Sequence, residues 1–256
     1  MQEWKGMLKL AKGWAFEAGK EQVRRAQKPM EMSSKSAAID LVTEMDVWTE
    51  SFLTKQIRSY YPDHLMKTEE SGAYEGDSPY EWVIDPIDGT VNYARGIPFY
   101  CISIGLRYKG ETVVGVVYAP KLDEMFEVVK GEGAWLNGTH IHTSETKRLD
   151  EAVVGSGFPY DKGTTEDNNL PHVQQVVPRL GGFRRTGSAA LDLCYVACGR
   201  LDASWEIKLH DWDVEAGLLL AAEAGGRTKV SEEEKGLYAL AAAPGIYAEL
   251  DALIKR

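Results

Sequence analysis

Two aspartates three residues apart open the chemical reading of this sequence. They stand in Trp82-Val83-Ile84-Asp85-Pro86-Ile87-Asp88-Gly89-Thr90. An apolar run delivers Asp85 and Asp88 to one place, Pro86 stiffens the backbone between them, and Gly89 permits a tight turn. Magnesium takes oxygen ligands: a few carboxylates together with water and substrate oxygens. Asp85, Asp88 and the carbonyl of Ile87 offer such a set for one or two ions. Thr90 can open a helix, and the amides of Gly89 and Thr90 would then face an anion such as a phosphate. The same D-x-x-D spacing also suits a plain turn, in which both aspartates cap backbone groups.

Three more acidic clusters invite the same two readings. Glu69 and Glu70 precede a Gly72 turn, as in a solvated loop. Asp211-Trp212-Asp213 precedes Val214-Glu215-Ala216-Gly217. There Asp211 or Asp213 can cap a helix, or Asp213 can join the metal cluster beside a helix N-terminus. Thr43 followed by Asp46 has the spacing of a capping arrangement, with Lys35 upstream; Asp46 can cap and serve a site together. His210 beside Asp211 reads as a packing histidine near the site.

Other chemistries lack their residues. A phospho-aspartate enzyme needs D-x-D, not D-x-x-D. Cys101, Cys194 and Cys198 have no C-x5-R context, no zinc spacing and no disulfide framework. Gly131-Glu132-Gly133 is a turn, since no G-x-G-x-x-G follows a strand. The formal charge is −10, from 29 Lys plus Arg against 39 Asp plus Glu, so no nucleic-acid or membrane partner is expected. An anionic substrate would need local positive charge, which a divalent cation supplies. The start of the chain has no signal-peptide apolar core, and no run of about 18 apolar residues exists, so a cytoplasmic protein is expected.

The elements that must position these groups follow from periodicity. Trp4, Met7, Leu8, Ala11, Trp14, Ala15 and Ala18 mark an amphipathic helix that ends before Pro29. Residues 31–38 read as a loop. A second helix starts near Thr43 and ends at Tyr61-Pro62. The run 82–84 is a strand that stops at Asp85, and residues 72–79 are turn-rich. Strands at 100–108, 112–118 and 125–129 follow as antiparallel neighbours. Beyond residue 150 the pattern alternates: strand 152–155, helix 166–180, helix 188–197, strand 203–205, helix 214–224, strand 238–242 and a terminal helix. Two lobes are expected. Residues 1–150 form an α+β lobe with most metal ligands, and 151–256 form an α/β lobe that supplies Asp213 and substrate contacts.

In order and type, DLVTEMD, TEESG, WVIDPIDGTVNY, GSAA and WDVEAG with EAGG resemble the inositol monophosphatase family of lithium-sensitive, magnesium-dependent phosphatases. The motifs run from Lys35 to Gly226, and WxxDPIDGTxN is highly specific. The resemblance implies an α/β (α+β) fold of the sugar-phosphatase type, an alternating α-β-α-β-α layered sandwich. It implies two or three magnesium ions held by Glu69, Asp85, the Ile87 carbonyl, Asp88 and Asp213. It implies that Glu69 and Thr90 orient the attacking water, with Thr90 paired to Asp46. Substrate contacts would fall on Asp88, Gly89, Thr90, Gly187, Ser188, Ala189 and Glu206, and Lys35 on a mobile loop. The implied substrate is a small phosphate ester, inositol monophosphate, with fructose-1,6-bisphosphate and NADP as alternatives within the superfamily. A homodimer is implied as well. A binding scaffold without catalysis would be marked by a missing carboxylate, and none is missing. The chain departs from the pattern at Thr68, where Gly is usual, at Glu215 in place of Ala, at Ser188 in place of Thr, and in a short segment after Gly226.

Overall fold

The structure, a computed structural model, describes residues 2–26, 32–34 and 41–256. Helix α1 (Gln2–Arg25) buries Met7, Ala11, Trp14, Ala15 and Ala18, the stripe anticipated from the three- and four-residue steps. Within 31–38, expected as loop, β1 (Met32–Ser34) pairs antiparallel with β2 (Leu41–Thr43). Those two three-residue strands are too short to carry a period-2 signal. Thr43 then caps α2 (Glu44–Tyr60): its hydroxyl accepts from the amide of Met45, and its own amide donates to Asp46 Oδ2 at 2.7 Å.

Eight strands form the larger sheet: β3 (Leu65–Thr68), β4 (Gly72–Tyr74), β5 (Tyr80–Asp88), then β6 (Cys101–Tyr108) after the short α3 (Thr90–Ala94), β7 (Glu111–Ala119), β8 (Glu124–Val129), β9 (Ala134–Leu136) and β10 (Thr139–Ile141). Their order is β10-β9-β8-β7-β6-β5-β3-β4, antiparallel except for the β3–β5 pair. The second half gives β11 (Val153–Ser156), α4 (Leu170–Val176), β12 (Gly182–Arg184), α5 (Ala189–Ala197), β13 (Ala203–Leu209), α6 (Asp211–Glu223), β14 (Arg227–Glu233), β15 (Gly236–Ala242) and α7 (Pro244–Ile254). Its sheet runs β12-β11-β13-β15-β14 and is mixed. Helix α4 is shorter than the 166–180 expected, because Pro171 sits in its first turn and Pro178 closes it into a 3-10 turn.

The two sheets and three helical layers alternate. Helices α1 and α2 cover the outer face of the large sheet, α5 and α6 lie between the sheets, and α7 with α4 covers the far side. Of four apolar clusters among the described residues, three follow those layers, and a small one gathers Met45, Ile87, Tyr93 and Tyr100. The middle layer sits very close to the large sheet. A Cβ on Gly115 would lie 3.0 Å from Ala216 Cα, and one on Gly105 3.0 Å from Glu215 Cβ. Two glycines in the sheet thus bring the start of α6 against β6 and β7. No described helix is long and apolar enough to cross a membrane.

Candidate active site

Strand β5 does not stop at Asp85 but continues through Asp88. Trp82 and Ile84 join the cluster under α1, so the two-residue period of a strand turns Asp85 to the opposite face, towards α6. Asp88 is three residues on, and in a regular strand it would point away from Asp85. Pairing with β6 shifts between Asp85↔Ser103 and Asp88↔Cys101, which inserts one extra residue and re-aims the chain. The result places carboxylate oxygens of Asp85, Asp88 and Asp213 within 4.8 Å of one another. From behind, the buried Gln22 of α1 donates to Pro86 O at 3.0 Å and to Thr49 Oγ1 at 3.1 Å, which fixes the bulge.

Each carboxylate is oriented by backbone groups. The amide of Ile87 donates to Asp85 Oδ1 (2.9 Å), and that of His210 donates to Asp213 Oδ2 (2.7 Å) at the start of α6. Asp88 Oδ2 accepts from Ser188 Oγ (2.6 Å) and the amide of Ala190 (2.7 Å) at the start of α5. Among the described residues, no Lys or Arg pairs with any of the three. Burial pushes the Asp85 carboxyl far above its ordinary range, and repulsion from Glu69, Asp88 and Asp213 adds to it. Burial likewise raises Asp88 and Asp213. Three hard oxygen donors that repel one another in a buried site fit a hard divalent cation such as magnesium.

The other anticipated residues surround a cavity of about 790 Å³. Glu69 lines it from the turn between β3 and β4, where the buried Glu50 of α2 accepts from the Glu70 amide at 2.7 Å. Gly89 has φ +95°, and a Cβ there would lie 3.1 Å from Phe99 O and 3.2 Å from Gly187 O, so only glycine fits. Thr90 Oγ1 lies 3.0 Å from Asp46 Oδ1 and 3.0 Å from the Ile87 carbonyl. Asp46 is fully buried, and burial raises its carboxyl to about 6 against the opposing bonds from Thr43. It caps α2 and holds Thr90 with its two oxygens. Gly187, Ala189 and Glu206 line the same cavity, and Ser188 sits just behind it on Asp88. Burial pushes the Glu206 carboxyl up to about 8, with repulsion from Asp192 adding to it. Lys35 lies outside the described residues.

A model of the inositol monophosphatase family matches residues 3–253. The chain belongs to that family. It is 41% identical over 222 residues to the Nus factor SuhB of Escherichia coli K12, covering 86% of this chain and 83% of that protein. It is also 41% identical over 227 residues to the inositol-1-monophosphatase of a Synechocystis species, covering 88% and 78%. The solved inositol monophosphatase from Anabaena superposes with a TM-score of 0.88 at 36% identity, covering 98% of this chain and 96% of that one.

Several residues that shape this inositol monophosphatase-family site escaped the sequence reading. Asp192 of α5 is buried; its Oδ1 accepts from Thr186 Oγ1 (2.6 Å), while Oδ2 has no hydrogen-bond partner. Its signal was a single acid inside the otherwise apolar AALDLCYVA. Arg107 joins Glu81 (2.9 Å), Asp211 (2.7 Å) and Glu215, and Lys67 reaches Asp211 at 2.8 Å. Glu215, the departure from the family pattern, therefore faces the large sheet, where Thr112 also donates to it. His210, expected as a packing histidine, is instead exposed at the N-cap of α6, stacks on Trp212 with ring centroids 4.7 Å apart and lines the cavity.

Proposed function

We propose that this protein is a magnesium-dependent phosphomonoesterase that hydrolyses a small phosphorylated polyol, inositol monophosphate being the substrate of first choice. The carrying observation is the cluster of buried Asp85 and Asp88 with half-buried Asp213, facing a cavity that also presents Glu69 and Thr90. In this reading Glu69, Asp85, the Ile87 carbonyl, Asp88 and Asp213 hold the ions. Magnesium, when bound, lowers the pKa of water and neutralises phosphoryl charge.

The chain's own residues do the positioning. Asp46 Oδ2 is occupied by the amide and hydroxyl of Thr43, which leaves Oδ1 to accept the hydrogen bond that the Thr90 hydroxyl donates. The Thr90 oxygen then turns a lone pair to the cavity, where it accepts from the attacking water and aims it at phosphorus. Glu69 accepts the water's second hydrogen. The amides of Gly89 and Thr90 bind the phosphoryl oxygens that gain charge in the transition state. Ser188 and the amide of Ala190 hold one Asp88 oxygen and so free the other for the cavity. Glu206 and Ala189, on the far wall, meet the hydroxyls of the leaving alcohol.

The test is phosphate release from inositol monophosphate, fructose-1,6-bisphosphate and NADP, with magnesium or with chelator, for the wild type and for Asp85→Asn and Asp213→Asn. Magnesium-dependent release that drops at least ~100-fold in both variants is expected, from the loss of a metal ligand. Release that survives either substitution would refute the assignment, and a preference for another ester would move the substrate within the superfamily.

A further inference from the structure

Lys208 lies where a lysine is not at ease. It stands in β13 with φ +57°, in the left-handed region that a residue with a Cβ rarely adopts. Pairing of β13 with β15 shifts between Glu206↔Ala239 and Leu209↔Leu237, so Lys208 occupies a bulge. Its side chain is only 7% exposed, although lysine is among the residues least often buried. The strained backbone and the buried ammonium both oppose this placement, so the contact it makes must offset them. Nζ lies 3.0 and 2.9 Å from the two carboxylate oxygens of Asp161. Lys235, in the tight turn between β14 and β15, approaches the same carboxylate at 3.7 Å.

Asp161 belongs to the 157–169 segment. The base of that segment is closed by the buried Asn169, which donates to Ser156 Oγ (2.9 Å) and Gly157 O (2.6 Å). Its tip is held by Lys208. Between those fixed points, Phe158, Tyr160 and Lys162 form one wall of the active-site cavity. We propose that Lys208 is a positioning residue for substrate selectivity: by anchoring Asp161 it holds this wall inward, and so sizes the cavity for a small leaving alcohol against a bulky one. This rests on the phosphatase reading above, but the latch has a readout that needs no substrate.

Lys208→Gly separates latch from strain, because glycine accepts the left-handed backbone and removes the ammonium. The melting temperature is expected to hold or rise, while trypsin cleavage after Lys162 accelerates about 5- to 10-fold, the scale of one lost charged hydrogen-bonded pair. KM for inositol monophosphate rises by the same factor with kcat unchanged, and the preference over NADP narrows. Asp161→Asn should reproduce the cleavage, KM and preference changes but lower the melting temperature, because the strained backbone and buried ammonium of Lys208 remain without their counter-charge, and the double variant should cleave no faster than either single one. Unchanged cleavage at Lys162 in both variants would overturn the latch. Faster cleavage with KM and the substrate preference unchanged would overturn the role in selectivity. A wild type that hydrolyses none of the esters would instead sink the phosphatase reading, and with it selectivity, while the cleavage rate still decides the latch.

Discussion

Asp192→Asn probes the buried carboxyl behind the substrate wall. Asp192 is 1% exposed, one oxygen has no partner, and burial together with repulsion from Asp88 raises its carboxyl from 3.8 to about 7, against the opposing Thr186 bond. The folded chain therefore keeps this proton up to about pH 7, whereas the unfolded chain releases it near pH 4. Across that window the unfolded state binds fewer protons, so wild-type stability falls as pH rises. At about 1.4 kcal/mol per unit, three units give a loss of roughly 4 kcal/mol at most between pH 4 and pH 8. Asparagine has no proton to lose. It keeps an oxygen for Thr186 and places an amide where the bare oxygen was, a cost of about 1–3 kcal/mol that does not depend on pH. Urea unfolding of both proteins at half-unit steps from pH 4 to 8, in chelator, should show a stability difference that shifts in favour of the variant by about 2–4 kcal/mol as pH rises. Parallel profiles would refute the reasoning, because they would mean Asp192 is ionised at all these pH values or hydrated.

Three further outcomes follow from geometry. Asp85→Asn removes a carboxyl whose ionisation burial and its acidic neighbours oppose in the folded chain, so in chelator it should melt about 2–10 °C above wild type while losing the rise that magnesium gives the wild type; scanning calorimetry checks both. Gly115→Ala places a Cβ 2.9 Å from Val128 Cγ1 and 3.0 Å from Ala216 Cα. Only a lifted α6 relieves the second contact, so about 1–3 kcal/mol of stability is lost in urea unfolding, and magnesium binding by calorimetry weakens with it. Arg107→Ala removes the pair to Glu81 and leaves Asp211 to Lys67 and Glu215 to Thr112, which should cost about 1–3 kcal/mol, and Arg107→Lys should restore less than half because a single ammonium cannot fork between the three carboxylates.

What the sequence made legible was local. The Thr43–Asp46 cap, the strand that delivers Asp85 and the helix beside Asp213 depend on residues within four positions of each other, although α6 starts at Asp211 with His210, not an aspartate, at its cap position. The strands missed by periodicity were short or exposed. β9 and β10 have three residues each, and β14 alternates only between exposed and half-buried positions, so no apolar period betrays it. Nor could periodicity see either bulge, because a bulge is a mismatch between two strands and not a property of one. Yet the bulges aim Asp88 and Lys208. Glu215 was undecidable for the same kind of reason: its partners Arg107 and Thr112 lie more than a hundred residues away.

The layering also has a consequence for how the chain is made. The large sheet is complete in sequence at Ile141, but its inner face is covered by α5 and α6, which end at Glu223. At about 5–20 residues per second, the ribosome needs roughly 4–16 seconds to supply those roughly 80 residues. Throughout that interval the nascent chain carries an uncovered apolar face with Asp85 and Asp88 at its edge, a surface suited to a chaperone. A release at residue 150 would leave that surface exposed for good, so a chain truncated there should aggregate during expression, while full-length chains escape.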